Sequence, residues 1–234
     1  MSSKIYKHLF FDLDHTLWDF ETNAKETLND LFLNNQLHEK GIDSFDNFYR
    51  HYSFHNHKLW DRYTKGFIKQ DELKWKRMWL ALLEFKIADE SLSKKMATEF
   101  TDILPYKKNL FPYTHELLTN LKNKNYSLHL ITNGFDSIQF NKLKFSKMDH
   151  YFTEVITSEA SNSLKPHKEI FDFALLKSNA LIYESIMIGD NINADIDGAL
   201  NVGMDAIYVN HINKEPYLKA NYTVYDLKEI ETIF

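Results

Sequence analysis

The chain has 234 residues, of which 44% are hydrophobic and 26% charged, values ordinary for a soluble globular protein made of one large domain or a domain with a sizeable insert. A formal charge of -5 advertises no basic face for a nucleic acid polymer or an anionic membrane, and no apolar run approaches membrane-spanning length. Zero cysteines exclude disulfides, thiol catalysis and thiolate metal sites, which leaves oxygen and imidazole ligands. Met1-Ser2-Ser3-Lys4 leads straight into the first predicted strand without a signal-peptide pattern, so a cytoplasmic protein is expected.

That strand is the apolar run Leu9-Phe10-Phe11, which ends abruptly in Asp12-Leu13-Asp14-His15-Thr16. Its residue types suit a strand buried on both faces. Residues two apart on extended chain project to the same side, so Asp12 and Asp14 are expected to converge while Leu13 points away. Two carboxylates just past a buried strand repel each other and lose solvation. A bound cation or a tight set of hydrogen bonds normally holds such a pair.

From about Leu17 to about Leu104 the texture changes to helix formers and long aromatics, with two glycines, Gly41 and Gly66. Helical periodicity recurs four times. Ala24, Leu28, Leu31 and Phe32 form one stripe; Phe45, Phe48, Tyr49 and Tyr52, continued by Leu59, Trp60 and Tyr63, form the second. Trp75, Met78, Trp79, Leu82 and Leu83 form the third, and Leu92, Met96, Phe100 and Ile103 the fourth. These stripes predict the core of a small all-helical module inserted after the acidic motif. Trp18 and Phe20 stand at its entry and are expected to pack there. His51 and His55 have chelating i, i+4 spacing but no clear third ligand, so with His57 they read as surface or packing residues.

From Leu110 onward strands and helices alternate. Tyr113 to Lys124 reads as a helix, Ser127 to Asn133 as a buried strand turning at Gly134, and Ser137 to Met148 as a helix. Tyr151 to Ser158 reads as a strand. Lys165-Pro166 precedes a helix carrying Ile170, Phe171, Ala174 and Leu175. Ser185 to Asp190 is another buried strand, broken at Gly189, and the helix after it is expected to end at Gly203. Asp205 to Asn210 and Tyr222 to Asp226 supply two last strands, with room for a short terminal helix. The alternation predicts an α/β fold: a Rossmann-like parallel sheet with helices on both faces, over residues 1–16 and 105–234, and a four-helix insert over 17–104.

Each polar motif falls at a strand's carboxyl end, the ligand-binding edge of such sheets. Asp12/Asp14/Thr16, Thr132-Asn133-Gly134, Lys165-Pro166 and Gly189-Asp190 with Asp195 therefore gather several carboxylates, a hydroxyl beside a backbone turn and an ammonium. That inventory suits a phosphate dianion held against a hard divalent cation.

These motifs, in this order along the whole chain, resemble the haloacid dehalogenase superfamily, most of whose members are Mg²⁺-dependent phosphohydrolases. The resemblance implies that Asp12 is a nucleophile forming an aspartyl-phosphate and that Asp14 is the general acid and then the base. It implies Mg²⁺ on the Asp12 and Asp190 carboxylates and the Asp14 main-chain carbonyl, with Asp195 supporting the metal shell and Lys165. Thr132 and the Asn133 amide would hold phosphate oxygens, and Lys165 would neutralise nucleophile and phosphate. The helical insert falls where the superfamily's C1 caps sit. Tyr63-Thr64-Lys65-Gly66-Phe67-Ile68-Lys69 is similar in position to the substrate-specificity loop, so Lys65 and Phe67 are candidate substrate contacts. An ordinary helix-helix turn reads equally well. His15, where many relatives carry glycine, is expected to be a loop residue.

Asp14 argues for phosphoryl transfer, because haloalkanoic acid dehalogenases replace this acid. The wording of the motifs, with Gln139 and Leu143 downstream of Thr132-Asn133-Gly134, looks like the pyrimidine 5′-nucleotidase branch, whose substrates are nucleoside monophosphates. Sugar phosphatases and phosphomutases of the superfamily share the acid and the cap, and remain alternatives. A receiver-like signalling domain would carry its phosphorylated acid on a later strand, and a mere phosphate-binding module would not need both Asp12 and Asp14. The oligomeric state is not written in the sequence.

Overall fold

Short runs of Leu, Ile, Val and Phe bounded by turns form the sheet, because residues buried on both faces have no need to alternate with polar ones. In the computed structural model, which describes residues 5–212 and 215–234, these are β1 (His8–Phe11), β2 (Ser127–Thr132), β3 (Glu154–Thr157), β4 (Ser185–Gly189), β5 (Asp205–Val209) and β6 (Tyr222–Val224). The leader-free start expected at residues 1–4 lies outside the described residues. The strand order is β3-β2-β1-β4-β5-β6, and every pairing is parallel. The chain thus winds outward from β1 to β3, returns to β4 beside β1, and winds the other way. The topological switch lies between β1 and β4, where an open parallel sheet has its crevice.

The helices in chain order are α1 (Phe20–Asn34), α2 (Phe45–Thr64), α3 (Gln70–Leu83), α4 (Glu90–Ile103), α5 (Thr114–Asn123), α6 (Asp136–Phe145), α7 (Ser158–Ser161), α8 (Lys168–Lys177) and α9 (Gly198–Val202). Phe10, Ile131, Met187 and Ala206 on one face of the sheet bury against Ile170, Phe171 and Ala174 of α8 and Ala199 of α9. On the other face Leu9, Phe11, Leu130, Ile186 and Ile188 are fully buried, with Leu117, Leu118 and Leu121 of α5 packed beside β2. The predicted α/β class and parallel sheet are what the chain adopts. Among the described residues no helix is long and apolar enough to cross a membrane.

The chain divides into two compact units, Met1–Phe20 with Lys108–Phe234, and Glu21–Lys107. The second is all-helical. Ser44 and Asp89 start α2 and α4 by accepting backbone N–H bonds from Asn47 and Leu92. Leu28, Leu31, Phe48, Tyr52, Met96 and Phe100 form its core together with Met78 and Leu82. On α3 the buried face is turned from the predicted stripe. Leu73, Arg77, Met78, Ala81 and Leu82 point inward, while Trp75 and Trp79 are half-buried and Leu83 is exposed. Arg77 reaches the core because its guanidinium lies 4.7 Å from the centre of the Phe100 ring and donates to Asn56 at 3.2 Å. The two indoles instead line a cavity of about 480 Å³, with Leu59, Phe67 and Ile68 beside the charged Lys58 and Arg62.

Candidate active site

β1, β2 and β4 deliver their polar residues to the switch edge. The Asp12 N–H donates to the Ile188 carbonyl at 2.9 Å, which extends the β1–β4 ladder one residue past β1 and fixes where the acid leaves the sheet. Lys165 Nζ then joins three elements: 2.6 Å from Asp12 Oδ1, 2.7 Å from Asp195 Oδ1, and donating to the Ile131 carbonyl of β2 at 2.6 Å. Lys165 is 2% exposed and Asp195 1%, so these are fully desolvated charges. The Thr16 hydroxyl lies 3.2 Å from Asp190 Oδ1 and 3.4 Å from Asp12 Oδ2. The loop that carries Lys165 is held by Asn133, whose side chain accepts from the Lys165 N–H at 2.7 Å and donates to the Lys165 carbonyl at 2.9 Å.

Asp195 reaches this cluster because Gly189 makes room for it. A Cβ at position 189 would stand 2.3 Å from Asp195 Oδ2. Asp195 lies within a one-turn π-helical stretch, Ile192–Asp197, and its Oδ2 accepts from the Asn191 N–H at 3.0 Å. The wider turn is a departure from the regular helix expected there, and such bulges recur at functional sites.

Three carboxylates, Asp12 and Asp195 buried and Asp190 half-buried, bring oxygens within 4.8 Å of one another, the one such acidic or histidine grouping among the described residues. Fully ionised, they would outnumber the single ammonium of Lys165 by two charges. Burial pushes Asp12 up to about 8, Asp195 and Asp190 adding to the shift and Lys165 opposing it. Burial likewise pushes Asp190 up to about 7, with Asp195 adding and the Thr16 hydroxyl and Lys165 opposing. Burial alone would lower Lys165, but the carboxylates of Asp12 and Asp195 hold its ammonium above the ordinary lysine range. A site this short of positive charge, built from hard oxygen donors, fits a small divalent cation such as Mg²⁺.

Asp14 faces elsewhere. Its Oδ1 lies 2.5 Å from Lys142 Nζ and its Oδ2 accepts from Gln139 Nε2 at 3.0 Å, both on α6. The expected convergence with Asp12 is therefore not onto a shared partner. β1 stops at Phe11, and Leu13 to Trp18 form a tight loop in which His15 has φ +65°. Such a backbone favours glycine, which accounts for a loop role at position 15. Thr132 joins the same network: its hydroxyl accepts from Gln139 Nε2 at 2.6 Å and from the Gly134 N–H at 3.1 Å. With both acceptor directions taken, the Thr132 hydrogen is free to donate outward to an anion. Lys142 is absent from the sequence reading. A lysine one helical turn from a glutamine looks solvated, and its burial is set by residues far away in the chain.

Lys65 and Phe67 lie on the helical unit. Lys65 pairs with Asp61 at 2.8 Å, and Phe67 is 69% exposed at the lip of the cavity lined by Trp75 and Trp79. His55 and His51 both face Glu84, at 2.8 and 3.8 Å, and His57 is exposed. Trp18 is fully buried, its ring 4.3 Å from Lys142 Nζ.

A family model described as haloacid dehalogenase-like hydrolase matches residues 9–209. The pyrimidine 5′-nucleotidase PynA of Streptococcus pneumoniae is 29% identical over 228 residues, 96% of this chain and 93% of that protein. A glyceraldehyde 3-phosphate phosphatase of Methanothermobacter thermautotrophicus is 42% identical over 100 residues, 43% of this chain and 44% of its own. The crystal structure of YfnB from Bacillus subtilis, bound to magnesium, superposes with a TM-score of 0.88 at 25% identity, covering 98% of this chain and 99% of that one. The strand-end motifs and the match across nearly the whole sheet lead to one conclusion: this chain belongs to the haloacid dehalogenase-like hydrolases.

Proposed function

We propose that the protein is a Mg²⁺-dependent phosphatase of small phosphate monoesters, with pyrimidine nucleoside 5′-monophosphates as its substrates. The observation that carries the reading is the division of labour between two carboxylates. Asp12 is bound to a buried ammonium and a carboxylate cluster, while Asp14 is held apart on uncharged and charged donors of α6. One suits a nucleophile at phosphorus and the other a proton carrier.

Asp12 attacks phosphorus in line, the ester bond breaks, and Asp14 gives its proton to the departing oxygen. Asp14 then takes a proton from water, whose oxygen attacks the aspartyl-phosphate and releases inorganic phosphate with Asp12 restored. Lys165 neutralises Asp12 and the entering phosphate; the Thr132 hydroxyl and the Asn133 backbone amide hold phosphate oxygens. Asp12, Asp190 and the Asp14 main-chain carbonyl would hold Mg²⁺, with Asp195 supporting them. Bound there, the ion would offset the repulsion between carboxylate and phosphate dianion. The magnesium in YfnB supports this assignment.

The nucleotide preference rests on the likeness to PynA over nearly the full chain. The helical unit acts as the cap in this reading. Lys65 and Phe67 meet the leaving half of the substrate, and the indole-lined cavity supplies surface on which a base can stack. The 42% identity with a sugar-phosphate phosphatase favours a second reading in which the leaving group is a small sugar.

The test is phosphate release from nucleoside monophosphates, sugar phosphates and p-nitrophenyl phosphate, with Mg²⁺ and with EDTA. EDTA-sensitive release favouring dUMP, dTMP or UMP supports the nucleotidase. A preference for a sugar phosphate selects the second reading, and no release from any substrate overturns both.

A further inference from the structure

Both oxygens of the Asp14 carboxylate are taken by donors from one stretch of α6, Gln139 and Lys142, spaced i and i+3. We propose that Gln139 and Lys142 are a clamp that positions Asp14 for proton transfer at the leaving oxygen, and that Gln139 also aims the Thr132 hydroxyl at phosphate. The inference rests on Asp14 being the acid and base of the proposed phosphatase.

Stability does not explain the clamp. An ion pair whose ammonium is buried gains little over apolar residues of the same volume, because desolvation of that charge offsets the attraction. Yet Lys142 is 2% exposed and Gln139 0%, on a helix with solvent available on its other face. The rings of Trp18 and Phe20 lie 4.3 and 5.5 Å from the ammonium of Lys142, against the side that faces away from water.

Gln139 is as tightly specified. Its side chain lies over Gly134, where a Cβ would stand 2.3 Å from Nε2. That amide bridges two groups with different tasks, Asp14 Oδ2 at 3.0 Å and Thr132 Oγ1 at 2.6 Å. By filling an acceptor direction on Thr132, it leaves the hydroxyl hydrogen pointing outward. Its own Oε1 is buried without a partner, a cost that a purely structural glutamine would avoid by turning or by being replaced.

The two positions therefore predict different kinetic signatures. Lys142 holds Asp14. Gln139 holds Asp14 and Thr132 together.

The experiment uses the full chain with Mg²⁺. Turnover is measured on a nucleoside monophosphate and on p-nitrophenyl phosphate, whose leaving group needs no proton, and inhibition is measured with inorganic phosphate. In Lys142→Met the loss on the nucleotide should exceed that on the aryl ester by about tenfold or more, with phosphate inhibition unchanged. Gln139→Met should show the same bias and also bind phosphate several-fold more weakly. Lys142→Arg, which keeps the charge, should recover part of the nucleotide rate. Asp14→Asn is the reference. If it shows the leaving-group bias and neither clamp variant does, the clamp is overturned and the acid assignment stands. If Asp14→Asn itself shows no bias, the acid assignment falls and takes the clamp with it. Should Lys142→Met fail to fold, Gln139→Met decides alone, because loss of the phosphate effect or of the bias contradicts its role.

Discussion

Asp12 carries a cost in the resting protein and is indispensable to the proposed reaction. It is 7% exposed, lies in a cluster of three carboxylates, and has one ammonium for company. Asp12→Asn should reduce turnover by about 10³-fold or more, since an amide cannot form the proposed aspartyl-phosphate. In EDTA the same variant should melt no lower than the parent, because it removes one of three crowded carboxylates whose ionisation burial disfavours. Mg²⁺ should raise the parent's melting temperature more than the variant's. Turnover within tenfold of the parent, or a variant that melts well below it, contradicts the assignment. The residues on which this rests were legible in the sequence, because Asp12, Thr132 and Asp190 each close an apolar run that ends at the sheet's edge, and Lys165 stands beside a proline ahead of the next helix. Lys142 was not. Its neighbours Asn141 and Lys144 read as a solvated face, and only the fold brings it to Asp14, 128 positions earlier.

Between residue and molecule, β1 and β2 hold a liability unrelated to phosphate chemistry. His8 Nδ1 and His129 Nε2 are 3.1 Å apart, and the His129 ring stacks on Phe10 at 4.8 Å with its Nδ1 buried and unpaired. Burial lowers His129 to about 4, with His8 adding to the shift, and burial lowers His8 as well. The folded state thus binds a proton less readily than the unfolded chain. Its contribution is fully present above pH 6.5 and is lost as pH falls from 6.5 toward 4, by up to about 3 kcal/mol for His129. Urea unfolding at pH 7 and pH 4.5 should show this, and His129→Leu should flatten the difference; an equal acid loss in the variant contradicts it. Elements were legible to the extent that periodicity reports burial. The apolar strands met this condition. On α3 it failed, because a guanidinium over Phe100 took an inward place and two indoles line a cavity instead. β3 begins at Glu154 rather than Tyr151, since the Tyr151 hydroxyl is drawn to His115 and Thr119 of α5.

At the scale of the whole molecule, every group proposed for the chemistry lies on one compact unit, and the helical unit enters and leaves the chain at one spot. Trp18 and Leu110 form an antiparallel bridge, and the Asp19 N–H donates to the Asn109 carbonyl at 3.0 Å. Residues 19 and 109 therefore stand as the two ends of a hairpin, which a linker of about two to four residues can close. Each unit also has its own apolar core: Phe10, Ile131, Phe171 and Met187 in one, Phe48, Tyr52, Met78 and Phe100 in the other. A chain with Glu21–Lys107 replaced by a short Gly-Ser linker should therefore fold, and the cluster of Asp12, Asp190 and Asp195 should survive with Lys165. It should keep Mg²⁺-dependent hydrolysis of p-nitrophenyl phosphate, at a lower rate, since the cap proposed above is gone. It should lose its ranking among nucleoside and sugar phosphates, because Lys65, Phe67 and the indole-lined cavity go with the deleted unit. Circular dichroism melting and the same substrate panel read both outcomes. A folded core that still ranks substrates as the parent does would move recognition from the helices to the sheet edge. A core that does not fold would mean that the helical unit contributes to stability as well as to choice of substrate.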